Sequence, residues 1–305
     1  MGISDMATNP AGAPLYPIRE VSRLTGVNSV TLRAWERRYG LIRPQRTPKG
    51  HRLYARGDIE RIERILHWLS RGVSVSQVGD LLEQPESDEA SATTDGDWPG
   101  QRQQLITAIQ ALDTARLESL YNQSLALYPV DVCVNELWQP VIAQLDEHWG
   151  GYHGDALQRH TLEAFLRTRI GTRLYHANLT ARGPQLLLAP LPESGGPLWL
   201  LLFALAASHA GYRVQMMDSP LPHSELPLAI EHLRLAAVVL IGNQGEHSEL
   251  VQRQLPHLAE QLSAPLYLAG TVVHIHAADL ENSHVTLLGD EPMQAATRLR
   301  SMLLS

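Results

Sequence analysis

Asn28-Ser-Val-Thr-Leu-Arg-Ala-Trp-Glu-Arg-Arg-Tyr-Gly40 is the stretch on which the fold turns. Asn28 or Ser29 suits a helix N-cap, because a short side-chain oxygen there accepts an otherwise unbonded amide of the first turn. Leu32, Trp35 and Tyr39 then fall on one apolar stripe, whereas Ser29, Arg33, Glu36 and Arg37 share a different face. Upstream, Ile18, Val21 and Leu24 lie on one face of a preceding helix that Gly26 ends. The two helices have helix-turn-helix spacing, and the polar face of the second is free to enter a groove. Arginine suits that task because its planar fork bonds guanine edges or clamps phosphate oxygens.

A solvated charged face would look similar, and the next segment decides between the two. Arg43-Pro-Gln-Arg-Thr-Pro-Lys-Gly-His-Arg-Leu-Tyr54 shapes a turn from prolines and a glycine, fills it with cations and ends it with an aromatic ring. It reads as a basic wing gripping backbone phosphates. Ile59, Ile62, Leu66 and Leu69 then mark a supporting helix, and Ser74 to Leu82 another. Charge follows the same division. Tyr16 to Glu83 holds 13 Lys+Arg against 7 Asp+Glu, a net of +6, while the other residues hold 12 against 25, a net of −13. The whole-chain charge of −7 argues by itself against nucleic acid, but it conceals a basic head on an acidic body.

Tyr16-Pro-Ile-Arg-Glu-Val-Ser22, Thr31-Leu-Arg-Ala-Trp-Glu-Arg-Arg-Tyr-Gly-Leu41 and Gly50-His-Arg-Leu-Tyr54 resemble the MerR family's DNA-binding domain, nearly without gaps over about seventy residues. The Leu-Arg-Ala-Trp-Glu-Arg-Arg-Tyr-Gly form is similar to that of the CarH/LitR/MlrA branch rather than the metal-sensing members. The resemblance implies a winged helix-turn-helix in which Thr31, Arg33, Arg37 and Tyr39 on the recognition helix, with Lys49, His51, Arg52 and Tyr54 on the wing, contact double-stranded promoter DNA. It also implies that promoter DNA is bent and untwisted, with RNA polymerase as a further partner.

Gln84 to Gly100 has almost nothing to bury and reads as a linker. Leu105 to Tyr128, Val130 to Trp149 and Leu157 to His176 carry apolar residues at three- and four-residue spacing, which predicts about four helices. From Pro184 short apolar runs alternate with helical stretches: Gln185 to Leu191, Arg213 to Met217, Ala236 to Gly242, Pro265 to Ala269 and Val285 to Leu288. Five such strands predict a parallel sheet covered by helices. The expected domains are a DNA-binding head at 14–83, a linker at 84–100, a helical bundle at 101–180 and a Rossmann-like domain at 181–305. The expected class is α plus α/β.

In the CarH/LitR branch a four-helix bundle and a Rossmann-like domain together hold cobalamin. That family marks the bundle with Trp, nine residues, then Glu-His, and marks the α/β domain with Glu/Asp-x-His-x-x-Gly, whose histidine ligates cobalt. Here Trp149 leads after nine residues to Arg159-His160, so arginine replaces the glutamate. In Ala189-Pro-Leu-Pro-Glu-Ser-Gly-Gly-Pro-Leu198, Glu193 keeps the acid, Gly195 stands at the histidine position and Leu198 at that of the glycine. Gly195 has no side chain to ligate, and Leu198-Trp199 puts bulk where a corrinoid loop needs close backbone approach. Gly270-Thr271 stands where the family has paired glycines. The expectation is a cobalamin-binding-like domain without cobalamin. Trp149, His160 and Glu193 are the residues a cobalamin would use, and an adenosylcobalamin-dependent light-sensing regulator is the alternative.

Cys133 is the one cysteine, which excludes an internal disulfide and a soft-metal site built on a cysteine pair. His148, His153 and His160, and the pair His274 and His276, are read as scattered histidines rather than a metal site. No 18-residue apolar run or signal-peptide order is present, so a cytoplasmic, membrane-free protein is expected. No nucleophile elbow or dinucleotide fingerprint occurs, and Gly242-Asn-Gln-Gly245 is too short for a phosphate cradle, so no enzyme is expected. The acidic Ser/Pro linker stands where most MerR proteins carry a dimerisation helix. A homo-oligomer formed through the body is therefore expected, with a ligand or signalling protein as the source of the signal.

Overall fold

The computed structural model describes residues 14–70, 73, 75–82, 98–192, 197–243 and 249–303. The chain divides into two compact units, 1–143 and 144–305.

The first unit opens with β1 (Tyr16–Pro17), α1 (Ile18–Thr25) and α2 (Ser29–Tyr39). Gly26, at φ 74°, stops α1, and its amide returns to the Ser22 carbonyl. Asn28 caps α2, its side chain accepting from Val30 N at 2.9 Å and Thr31 N at 2.8 Å. Next come β2 (Gln45–Arg46) and β3 (Arg52–Tyr54), which with β1 form a small antiparallel sheet ordered β1-β3-β2. α3 (Arg56–Ser70) and α4 (Val75–Leu82) come after it. Val21, Leu32, Trp35, Tyr54, Ile62 and Leu69 are fully buried, so the two apolar stripes, the wing and the support helix share one core.

Residues 83–97, most of the expected linker, lie outside the described residues. α5 (Trp98–Gln110) begins inside the remainder of it. α6 (Thr114–Leu127), the short α7 (Val130–Val132) and a π-helical turn, Cys133–Trp138, continue the unit. α8 (Gln139–His148) spans the boundary between the units. The helical stretch expected as one bundle over 101–180 is thus shared between them. Within the first unit, α6 packs on α2, and Trp35 Nε1 donates to the Leu127 carbonyl at 2.9 Å.

The second unit carries the long α9 (Asp155–Thr180), then β4 (Gln185–Pro190), α10 (Leu198–His209), β5 (Arg213–Met216), α11 (Leu226–Leu233), β6 (Ala237–Ile241), α12 (Leu255–Gln261), β7 (Leu266–Ala269), α13 (Val272–Leu280), β8 (Val285–Gly289) and α14 (Pro292–Leu303). The strands form one parallel sheet ordered β5-β4-β6-β7-β8. α10 is apolar all round because it packs against α9 and α14 as well as the sheet. The strand order reverses between β4 and β6, which places a topological switch point at Leu191 and Gly242.

Candidate nucleic-acid interface

α2 and the wing are tied together by one carboxylate. Glu36, on the polar face of α2, accepts from Arg46 on β2 at 2.6 Å and from Arg52 on β3. Burial works to raise the Glu36 pKa, but the bonds from Arg52 and Arg46 outweigh it and hold the carboxyl below its ordinary value. The wing turns at Thr47-Pro-Lys-Gly50, where Gly50 N reaches the Thr47 carbonyl at 2.8 Å and Gly50 adopts φ 81°. Lys49 stands at the tip of this turn. Gly40, at φ 63°, ends α2.

This scaffold leaves Arg33, Arg37, Lys49 and His51 exposed. Four other expected contacts sit differently. Thr31 is fully buried, and Tyr54 is fully buried with its ring in the core of the head. Burial pushes the Tyr54 hydroxyl up to about 12, with the nearby Glu36 charge adding to the effect. Neither side chain reaches the surface that exposes Arg33, Arg37, Lys49 and His51, unlike the expectation that both contact DNA. Arg52 keeps only 12% of its side chain exposed and is turned toward Glu36, so it braces the wing. Tyr39, half-buried on the Leu32–Trp35 stripe, lines a partly open cavity of this unit. Sequence reasoning missed the Glu36 brace and the role of Arg46, because pairs 10 and 16 residues apart across a turn leave no periodic signal.

In the second unit, Leu191 and Val272 close on Gly242 at the switch point. A Cβ on Gly242 would meet Leu191 Cδ1 at 2.8 Å and Val272 Cγ1 at 2.9 Å, and both side chains are buried. Trp199 stacks on Phe203 with ring centroids 5.3 Å apart and donates to the Asp290 carbonyl. His274 is 2.9 Å from the Asp290 carboxylate. Glu193 and Gly195 lie outside the described residues, as do residues 244–248. Trp149 donates to Gln158 at 3.3 Å, and the Arg159 guanidinium lies 5.8 Å from its ring centroid. Arg159 and His160 both engage Glu163, each at 3.2 Å, and the His160 side chain is mostly exposed. Among the described residues no group of three or more His, Cys, Asp or Glu is placed to hold a metal ion. No described helix is long and apolar enough to cross a membrane.

Residues 16–85 match the model of the MerR HTH family regulatory proteins. The head is a MerR-type helix-turn-helix domain. The chain is 29% identical to the HTH-type transcriptional repressor CarH of Myxococcus xanthus, over 90% of this chain and 95% of that protein. It is 39% identical to the HTH-type transcriptional regulator MlrA of Escherichia coli over 43% of this chain, which spans about half (52%) of that relative. The chain is homologous to both. Among solved structures, the monomethylamine corrinoid protein of Methanosarcina barkeri aligns with a TM-score of 0.50 at 11% identity, covering 65% of this chain and 96% of that one. The body therefore has the fold of cobalamin-binding domains.

A corrinoid held through a histidine is a poor fit to the residues present. The sequence puts glycine at the ligand position, Leu191 and Val272 fill the switch-point crevice beside Gly242, and the Trp149 ring already carries the Arg159 guanidinium.

Proposed function

We propose that this DNA-binding transcription regulator of the MerR family reads DNA with Arg33 and Arg37 in the major groove, anchors to phosphates with Lys49 and His51, and answers to a body that works without cobalamin. The observation that carries the first part is the Glu36 brace. It fixes the wing against α2 while leaving the four polar side chains exposed, so one rigid surface offers both base-reading and phosphate-gripping groups. A major groove about 12 Å wide admits such a helix. The second part rests on the absent imidazole at position 195 and on the hydrocarbon packed at the switch point. The body then oligomerises and receives its signal from another ligand or from a protein partner.

The test has two arms. Protein incubated with a randomised duplex pool should enrich one sequence class, and enrichment unchanged by Arg33→Ala and Arg37→Ala together would reject the groove assignment. In the dark, a titration with adenosylcobalamin should leave the corrinoid spectrum unshifted and the gel-filtration volume unchanged. A stoichiometric spectral shift with light-dependent size would replace the cobalamin-free reading by the photosensor alternative.

A further inference from the structure

The first unit contains a cavity of about 220 Å³ that lies among the recognition helix, α4 and the α5–α6 pair. Leu105, Leu120 and Leu137 are among the residues that line it. Gln101, Gln104 and Gln123 line it as well; Gln101 bonds the Tyr128 hydroxyl and the Gln104 side-chain oxygen accepts from Arg116 at 2.9 Å, which leaves the Gln123 amide to meet a ligand. Tyr39 and Tyr128 contribute rings, and none of the lining side chains is charged. The Tyr128 hydroxyl is already held by Gln101 and by the Val75 backbone, and burial raises its pKa. Leu137 reaches the cavity from the π-helical turn Cys133–Trp138, a distortion frequent at functional sites.

Position gives the cavity its consequence. Tyr39 is the last residue of the recognition helix, and Leu127, another lining residue, accepts the indole hydrogen bond of Trp35 from the same helix. Whatever fills the space presses on both sides of the contact that seats the recognition helix on α6.

We propose that this cavity is an effector site for a neutral bicyclic heteroaromatic lactam or amide, whose binding resets DNA affinity by shifting α2 on α6. The lining sets the chemistry. Leucines and tyrosine rings accept a flat apolar body, the Gln123 amide pairs with an edge that both donates and accepts, and the absence of a charged lining side chain disfavours ions. It sets the size too: a cavity of about 150 Å³ takes a benzene-sized molecule, so in proportion this one takes about nine non-hydrogen atoms, and its open side leaves room for one or two more. Because the coupling is reciprocal, effector and DNA change each other's affinity by the same factor, and a change of about fivefold or more is expected. The regulatory consequence rests on the head binding DNA as proposed above; the site itself does not.

The full-length chain is titrated with quinolin-2-one, alongside the anionic quinoline-2-carboxylate, using saturation-transfer NMR for binding and anisotropy of a labelled duplex for DNA affinity. Saturable binding of quinolin-2-one alone is expected, lost in Leu120→Trp, which fills the cavity from a half-buried position, and weakened in Gln123→Ala. The duplex affinity should shift at least fivefold in the wild-type chain and stay constant in Leu120→Trp. Absence of saturable binding, binding that survives in Leu120→Trp, or binding that leaves the duplex affinity unchanged would each overturn the proposal. DNA affinity of the unliganded chain is read first, so failure of the head to bind DNA is seen separately from failure of the cavity to bind the probe.

Discussion

Replacing Glu36 by alanine should unfasten the wing without unfolding the head. The two bonds it breaks differ in weight. The Arg46 side chain is half exposed, and an exposed ion pair contributes about 0.2–1 kcal/mol. The Arg52 and Glu36 side chains are only 12% and 15% exposed, and removing one partner of a fully buried pair costs about 3–5 kcal/mol. Discounted for the residual solvent contact, Glu36→Ala should cost the wing about 2–3 kcal/mol of local opening free energy. At about 1.36 kcal/mol per factor of ten, this speeds amide exchange across Gln45–Tyr54 by about 30- to 160-fold, against a fewfold for Arg46→Ala. Hydrogen exchange read by mass spectrometry on the full chain resolves these peptides. Equal acceleration in Arg46→Ala and Glu36→Ala would refute the assignment of the brace to Arg52. The pH dependence supplies a second check. The folded Glu36 pKa lies below its ordinary 4.5, so its contribution is complete above that value and is lost as pH falls through the lowered one. Protection of the wing amides, taken relative to their intrinsic exchange, should therefore fall in acid, and Glu36→Ala should abolish that pH dependence.

Lys49→Ala should weaken binding to every duplex alike and reduce the salt slope by about 0.9, whereas Arg33→Ala or Arg37→Ala should change the preferred base at one position by about 1–3 kcal/mol; affinities at several salt concentrations on matched and mismatched duplexes separate the two behaviours. Tyr54→Phe removes a buried hydroxyl that has no hydrogen-bond partner among the described residues, so thermal stability should hold or rise slightly and DNA affinity should not change. A tenfold loss of affinity in that variant would return Tyr54 to the interface. Gly270→Ala puts a Cβ at φ 93° against the Gly242 carbonyl and should destabilise the second unit by about 2–3 kcal/mol, seen as a lower midpoint in its thermal transition; an unshifted midpoint would show that the loop after β7 relaxes freely.

Where the sequence announced the structure, it did so through period and punctuation. The five parallel strands lie within a residue or two of their apolar runs, because a strand covered on both faces must be apolar at successive positions. The helix-turn-helix was legible through Gly26, Asn28 and the Leu32–Trp35–Tyr39 stripe. β1, only two residues long, carried no pattern of its own and exists because Tyr16 and Pro17 pair with Tyr54 and Leu53. Tyr39 belongs to the apolar face, so its half-buried place beside the cavity agrees with its spacing. Nothing local signals that Trp35 reaches Leu127, 92 residues on, or that Val272 and Leu191 converge on Gly242, since these contacts depend on how elements pack.

The same distinction governs how the charge of the head should be counted. Sequence gives 13 cations between Tyr16 and Glu83, and if each neutralised a phosphate the salt slope would approach about −12 per head. The structure employs several of them internally: Arg23 bonds Glu20 at 2.6 Å, Arg46 and Arg52 bond Glu36, Arg56 bonds Glu60 at 3.3 Å, and Arg61 donates to the Leu41 carbonyl at 2.5 Å. On α2 and the wing segment, Arg33, Arg37, Arg38, Arg43 and Lys49 are exposed and in no ion pair among the described residues. Five such groups give a slope of about −4.5 per head. A measured slope near that value means that the head docks with its braces closed. A slope steeper by about 1.8, near −6.3, would mean that DNA competes Glu36 away from Arg46 and Arg52, and the brace would then be a latch that the promoter opens.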